Sequence, residues 1–218
     1  MSEDRAAQLE AIAERIRACK ECRLHENTTN AVPGYGDVNA EILFIGEAPG
    51  FHEDQQGLPF VGRSGRYLDY LLDLIGMKRE QVFIANMVKH RPPDNRDPLA
   101  DELAACKHFL DEQFAVIDPL VVATLGRFSM EYFLSNRYKI SKAHGQPVYR
   151  EGRAIYPMFH PAAALRNPGL RWDMEADIKK LPEVVAEVKR RRAQDDNFAP
   201  SADGDAPTDD PPEQLTLF

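Results

Sequence analysis

Four short apolar runs, Ile42–Ile45, Val82–Ala85, Leu120–Leu125 and Ala154–Phe159, are each followed closely by Gly, Asn or Pro, and they constrain the fold more than any other feature. Runs of this length without polar alternation suit strands buried on both faces, and the residues after them suit tight turns. Helical spacing fills the intervals, at about 63–75, 99–117, 128–134 and 171–191. A further amphipathic pattern over 5–18, with Leu9, Ile12, Ala13 and Ile16 on one face, leads into Cys19. Strands alternating with helices predict an α/β fold, a three-layer α/β/α sandwich around a mainly parallel four-stranded sheet. A binding site is then expected outside the carboxyl ends of the strands.

The chain has 218 residues and a net charge of −8. That balance is unfavourable for a nucleic-acid partner, because phosphate neutralisation by Lys and Arg dominates such affinity. The charge is unevenly placed, however. Asp195, Asp196, Asp203, Asp205, Asp209, Asp210 and Glu213 lie in a closing segment without a basic residue, and they account for all but one unit of the net charge. The nearly neutral remainder leaves room for a local basic face. No apolar run approaches the length of a membrane span, and the first residues lack a signal-sequence pattern, so a cytoplasmic protein without membrane contact is expected. Composition predicts a folded domain over 1–192 and a disordered acidic linker over 193–213. A monomer is the default expectation.

Three of the four runs end in residues suited to handling a nucleobase. The first enters Gly46-Glu47-Ala48-Pro49-Gly50, where glycines let backbone N–H groups approach a ligand. The loop continues to Pro59-Phe60-Val61-Gly62. Phe60 is either a core residue or an aromatic that stacks on a base. Asn86 ends the second run; its amide is a turn former or a donor–acceptor pair for a base edge. Lys89-His90-Arg91-Pro92-Pro93 and Arg96 follow in a proline-stiffened loop rich in phosphate-seeking groups. The last run ends in Phe159-His160-Pro161, with Leu165 and Arg166 close behind. His160 either caps a helix or stabilises a developing oxyanion, and Leu165 can wedge into the gap left by an extruded base.

In this order the motifs resemble the family-four uracil-DNA glycosylases over about residues 19–181. The resemblance implies excision of uracil from extruded nucleotides in base excision repair. It places Gly46, Glu47, Ala48, Phe60, Asn86 and His160 around uracil, with His160 the main catalytic group and Glu47 and Ala48 beside the attacking water. Arg91, Arg96, Leu165 and Arg166 are the implied DNA contacts. Ala48 stands where better-known monofunctional relatives carry a carboxylate, which moves the catalytic burden towards His160. No Lys occupies a motif position and residues 91–105 contain no His, so neither a Schiff base nor a covalent trap is expected.

The resemblance also implies a [4Fe-4S] cluster on four cysteines. Cys19, Cys22 and Cys106 match three of them, and His90 falls where the fourth is expected. Imidazole ligates iron in Rieske centres, so a three-thiolate, one-histidine set is the expected form, the alternative being a cluster with an open iron or none. The closing Gln214-Leu215-Thr216-Leu217-Phe218 resembles the motif by which bacterial repair proteins hold the β sliding clamp, with Gln214, Leu215, Leu217 and Phe218 as contacts. Recruitment to the nucleoid would follow. Two rival classes are a non-catalytic uracil-sensing DNA binder, to which Ala48 lends weight, and an iron–sulfur electron carrier.

Overall fold

The computed structural model describes residues 2–196. Its strands are β1 (Tyr35–Gly36), β2 (Ile42–Gly46), β3 (Phe83–Asn86), β4 (Val121–Leu125), β5 (Val148–Arg150) and β6 (Arg153–Met158). Its helices are α1 (Ser2–Arg17), α2 (Phe51–Gln56), α3 (Arg63–Asp73), α4 (Ala100–Ile117), α5 (Arg127–Leu134), α6 (Ile140–Ala143), α7 (Pro161–Arg166) and α8 (Leu170–Asp196).

The sheet has six strands in the order β1-β3-β2-β4-β6-β5, not the four expected. The four apolar runs form its parallel centre, β3-β2-β4-β6. The two additions are short antiparallel edges. Each is too short and too exposed to leave an apolar run in the sequence. Glu151 and Gly152 turn β5 into β6 with φ of 51° and 69°, the positive pair that a tight type I′ hairpin requires.

One face of the sheet packs Ile42, Phe44, Ile84, Val121 and Tyr156 against α3, α7 and α8, through Leu68, Leu72, Ala164, Met174 and Ile178. The other packs Leu43, Ile45, Val122 and Ile155 against α4 and α5, through Leu110, Ile117, Met130 and Phe133. Helices on both faces make the three-layer sandwich. Outside the second face, Ile12 and Ile16 of α1 meet Val88, Cys106 and Phe109 in a smaller apolar cluster.

α2, α6 and α7 leave no signal in the sequence, because none is long enough to display helical periodicity. α8 runs to Asp196, four residues past the expected domain boundary at 192. The clamp-like motif at 214–218, and the linker from residue 197, lie outside the described residues. No helix among the described residues is long and apolar enough to cross a membrane.

Candidate active site and cysteine cluster

A cavity of about 580 Å³ opens at the carboxyl ends of the parallel strands. Glu47, Ala48, Phe60, Asn86, Arg96, His160 and Arg166 all line it, although they are spread over 120 residues of chain. Gly46 is not among the lining residues but packs directly against two of them, since a Cβ there would stand 2.4 Å from Asn86 Oδ1 and 2.7 Å from Phe60 Cζ. Arg91 and Leu165 are not among the lining residues. They sit just beyond it, half-buried, beside Pro92 and Arg166.

Phe60 is 5% exposed, a core residue that also forms part of the cavity wall. Its backbone has φ 51°, a left-handed conformation that costs a bulky residue energy unless neighbours enforce it. Glu53 Oε1 accepts the N–H groups of Val61 and Gly62, each at 2.9 Å. Arg79 Nη2 donates to the Phe60 carbonyl at 2.8 Å while gripping Asp69. Gly65 lets α3 approach, since a Cβ there would lie 1.6 Å from the Phe60 oxygen. Sequence reasoning missed Glu53 and Arg79, because their task depends on contacts that no local pattern encodes.

The Phe60 and His160 rings lie 5.6 Å apart at 33°. His160 is the N-cap of α7, its Nδ1 accepting the Ala162 N–H at 3.1 Å. The cap and the cavity wall are therefore one residue in both roles. Burial, and secondarily the charge of Arg166, push its pKa down to about 4. The imidazole is neutral near pH 7. With Nδ1 accepting, its proton is on Nε2.

Asn86 is buried, and its Oδ1 has no hydrogen-bond partner among the described residues. An unsatisfied buried acceptor costs about 1–3 kcal/mol, which a ligand donor can recover. Beneath it, the fully buried Lys89 donates from Nζ to the Asn86 carbonyl at 3.0 Å and to Gln113 Oε1 at 2.7 Å. Lys89 is thus a strut and not a phosphate contact.

Glu47 is half-buried, and burial followed by the nearby Asp97 raises its pKa to about 7. Arg96 is committed elsewhere: its guanidinium spans both oxygens of the buried Glu102, at 2.8 and 2.6 Å. Glu102 also accepts the Leu99 N–H at 2.8 Å, which ties the cavity loop to the start of α4.

Cys19, Cys22 and Cys106 pack into the same apolar cluster as Ile16, Leu24, Val88 and Phe109. Burial raises all three thiols, Cys106 to about 11. Cys106 Sγ accepts the Lys89 N–H at 3.2 Å. His90 is also buried, and burial and then the neighbouring His25 hold its pKa below the usual value. Among the described residues no three His, Cys, Asp or Glu side chains converge on a point that would hold a single metal ion. Such convergence is not what a cubane asks for, because each ligand binds a different iron. Soft sulfur donors, apolar walls and an N–H directed at sulfur fit an iron–sulfur cluster.

Residues 33–184 match the family model of the uracil DNA glycosylase superfamily. The chain is 47% identical to a type-4 uracil-DNA glycosylase of Sulfurisphaera tokodaii, over 84% of this chain and 87% of that protein. It is 43% identical to the type-4 enzymes of Saccharolobus solfataricus and Thermotoga maritima, over 82% and 81% of this chain and 87% and 94% of theirs. The chain belongs to the uracil-DNA glycosylase superfamily, and within it to the type-4 group.

Proposed function

We infer that this chain is a monofunctional uracil-DNA glycosylase, hydrolysing the bond between uracil and deoxyribose in DNA. The observation that carries this reading is Asn86 Oδ1, unpartnered among the described residues, in one cavity with Phe60 and a neutral His160. Uracil offers an N3–H for that oxygen and a flat face for Phe60. Its O2 gains negative charge as the bond breaks.

A base inside a duplex is unreachable, so the nucleotide is extruded first, with Leu165 filling the gap and Arg91 and Arg166 meeting phosphates. Backbone N–H groups around Gly46, Glu47 and Ala48 bind the pyrimidine edge. The C1′–N1 bond breaks with its electron pair leaving on uracil, and the Nε2–H of His160 donates to O2. Water adds to the cationic C1′. With Ala48 carrying no carboxylate, the adjacent Glu47 of the cavity wall takes the proton that water loses.

Cys19, Cys22, Cys106 and His90 would hold a [4Fe-4S] cluster. When bound it supplies a rigid tie between the segment after α1 and the loop after β3. Gln214, Leu215, Leu217 and Phe218 would engage the β sliding clamp, with the acidic segment before them as tether.

Chromatography of the small-molecule product after incubation with uracil-containing DNA tests the activity. Free uracil is expected. Tight DNA binding without free uracil would instead favour a non-catalytic sensor.

A further inference from the structure

Phe51 directly follows Gly50 of the cavity wall, yet 53% of its surface is exposed. An exposed ring beside a cavity offers an open face on which a base can stack. The ring is also held in place. The Arg91 guanidinium carbon lies over it, 5.2 Å from the centroid, and His52 packs at its edge with centroids 5.5 Å apart at 78°. Arg91 is steadied by donating from Nε to Asn95 Oδ1 at 2.7 Å, and Asn95 is a cavity residue.

Arg91 is set apart from its neighbours by its charge. Arg96 is neutralised by Glu102, and Arg127 approaches Asp97 at 3.5 Å and Glu131 at 4.0 Å. Arg91 makes no ion pair among the described residues, so its charge is available to a phosphate. Ring and guanidinium together form a preordered aromatic and cationic surface. Single-stranded nucleic acid is gripped by this combination, because every base has a face to stack and every linkage a charge to neutralise.

The topology fixes where this surface stands. In the order β3-β2-β4-β6, Phe51 and Arg91 follow β2 and β3, whereas Leu165 and Arg166 follow β6. The two pairs flank the cavity from opposite sides. A strand delivering its uracil between them meets Leu165 on one side and Phe51 on the other.

We propose that Phe51, backed by Arg91, is a stacking shelf for the nucleobase next to the extruded uridine, and that it lets the enzyme hold uracil in single-stranded DNA. The inference rests on the cavity being a uracil site. On a duplex, the neighbouring base is already stacked on its own helix, so the shelf contributes less there.

The test compares the full chain with F51A and F51W on single-stranded and duplex oligonucleotides carrying one uracil, with 2-aminopurine beside it. F51A is expected to raise KM on the single strand by about tenfold while sparing kcat, the scale of one lost base–aromatic stack. The duplex KM should move less, and F51W should restore the single-strand value. Binding should quench 2-aminopurine in the wild type and in F51W but not in F51A. Equal thermal unfolding of the three proteins separates the effect from misfolding, since the side chain is exposed. Uracil release with an unmoved F51A KM and unmoved quenching overturns the shelf alone. Absence of uracil release from the wild type overturns the uracil-site reading and the shelf with it.

Discussion

His160 Nδ1 accepts the backbone N–H of Ala162 at 3.1 Å, and this one bond leaves Nε2 as the ring nitrogen that faces a ligand with its hydrogen. It fixes the tautomer with hydrogen on Nε2 and anchors the ring to the first turn of α7. With a pKa near 4, the ring is a neutral hydrogen-bond donor across the physiological range.

Replacing His160 with Ala should lower kcat by about 10²–10³, the usual cost of one oxyanion donor. Single-turnover kinetics on a uracil oligonucleotide measure it. Because the folded pKa is depressed, the ring is half protonated only at about pH 4, so wild-type activity should show no inflection from this group near neutrality. A His160→Ala enzyme at near wild-type rate would refute its role.

Glu47 should provide the inflection that His160 does not. Its pKa is raised to about 7, so the carboxylate able to take a proton from water is the minor form below that pH and the major form above it. The expected kcat/KM profile rises through about pH 7 and then levels. Glu47→Gln should flatten it and lower the plateau, by about 10²–10⁴ if proton transfer is rate-limiting. An unchanged inflection in Glu47→Gln would assign the titration to another group.

Gly46 tests the packing behind the Asn86 and Phe60 side chains by steric means. A methyl group there would collide with Asn86 Oδ1 and the Phe60 ring, both within 2.7 Å. Gly46→Ala should therefore weaken binding of free uracil and of uracil-DNA, and should also lower the thermal midpoint, because displacing two buried side chains costs about 1–3 kcal/mol. Calorimetric titration with uracil checks it.

The parallel centre of the sheet and most of the cavity were legible in the sequence because each is a local signal. An unbroken apolar run is a buried strand, and the residue closing it stands at the strand's carboxyl end. Gly46, Asn86 and His160 could be placed this way before any coordinates. Phe60 was legible as a residue but not as a conformation, since its left-handed backbone is imposed by Arg79, Glu53 and Gly65 from elsewhere. Lys89 and Arg96 looked like phosphate contacts because both are cations in a basic loop. Their partners, Gln113 and Glu102, lie on α4, and only the folded chain brings them together.

His90→Cys should keep, and His90→Ala should lose or destabilise, the broad visible absorption of an iron–sulfur protein purified without oxygen. Replacing neutral imidazole with thiolate makes the cluster more negative, so its potential should fall in His90→Cys. A cluster equally stable in His90→Ala would remove His90 from the ligand set.

Deleting residues 214–218 should abolish binding to the β sliding clamp and leave excision from short oligonucleotides unchanged. Surface plasmon resonance against immobilised clamp measures the first and a gel assay the second. Retained clamp binding would end that assignment.

The most direct test of the whole account is incubation of the purified chain with an end-labelled oligonucleotide containing one uracil, followed by hot alkali. Strand cleavage at the uracil position is expected only after alkali, because hydrolysis leaves an intact abasic site. An uncut strand after alkali, or cleavage before it, would contradict a monofunctional uracil-DNA glycosylase.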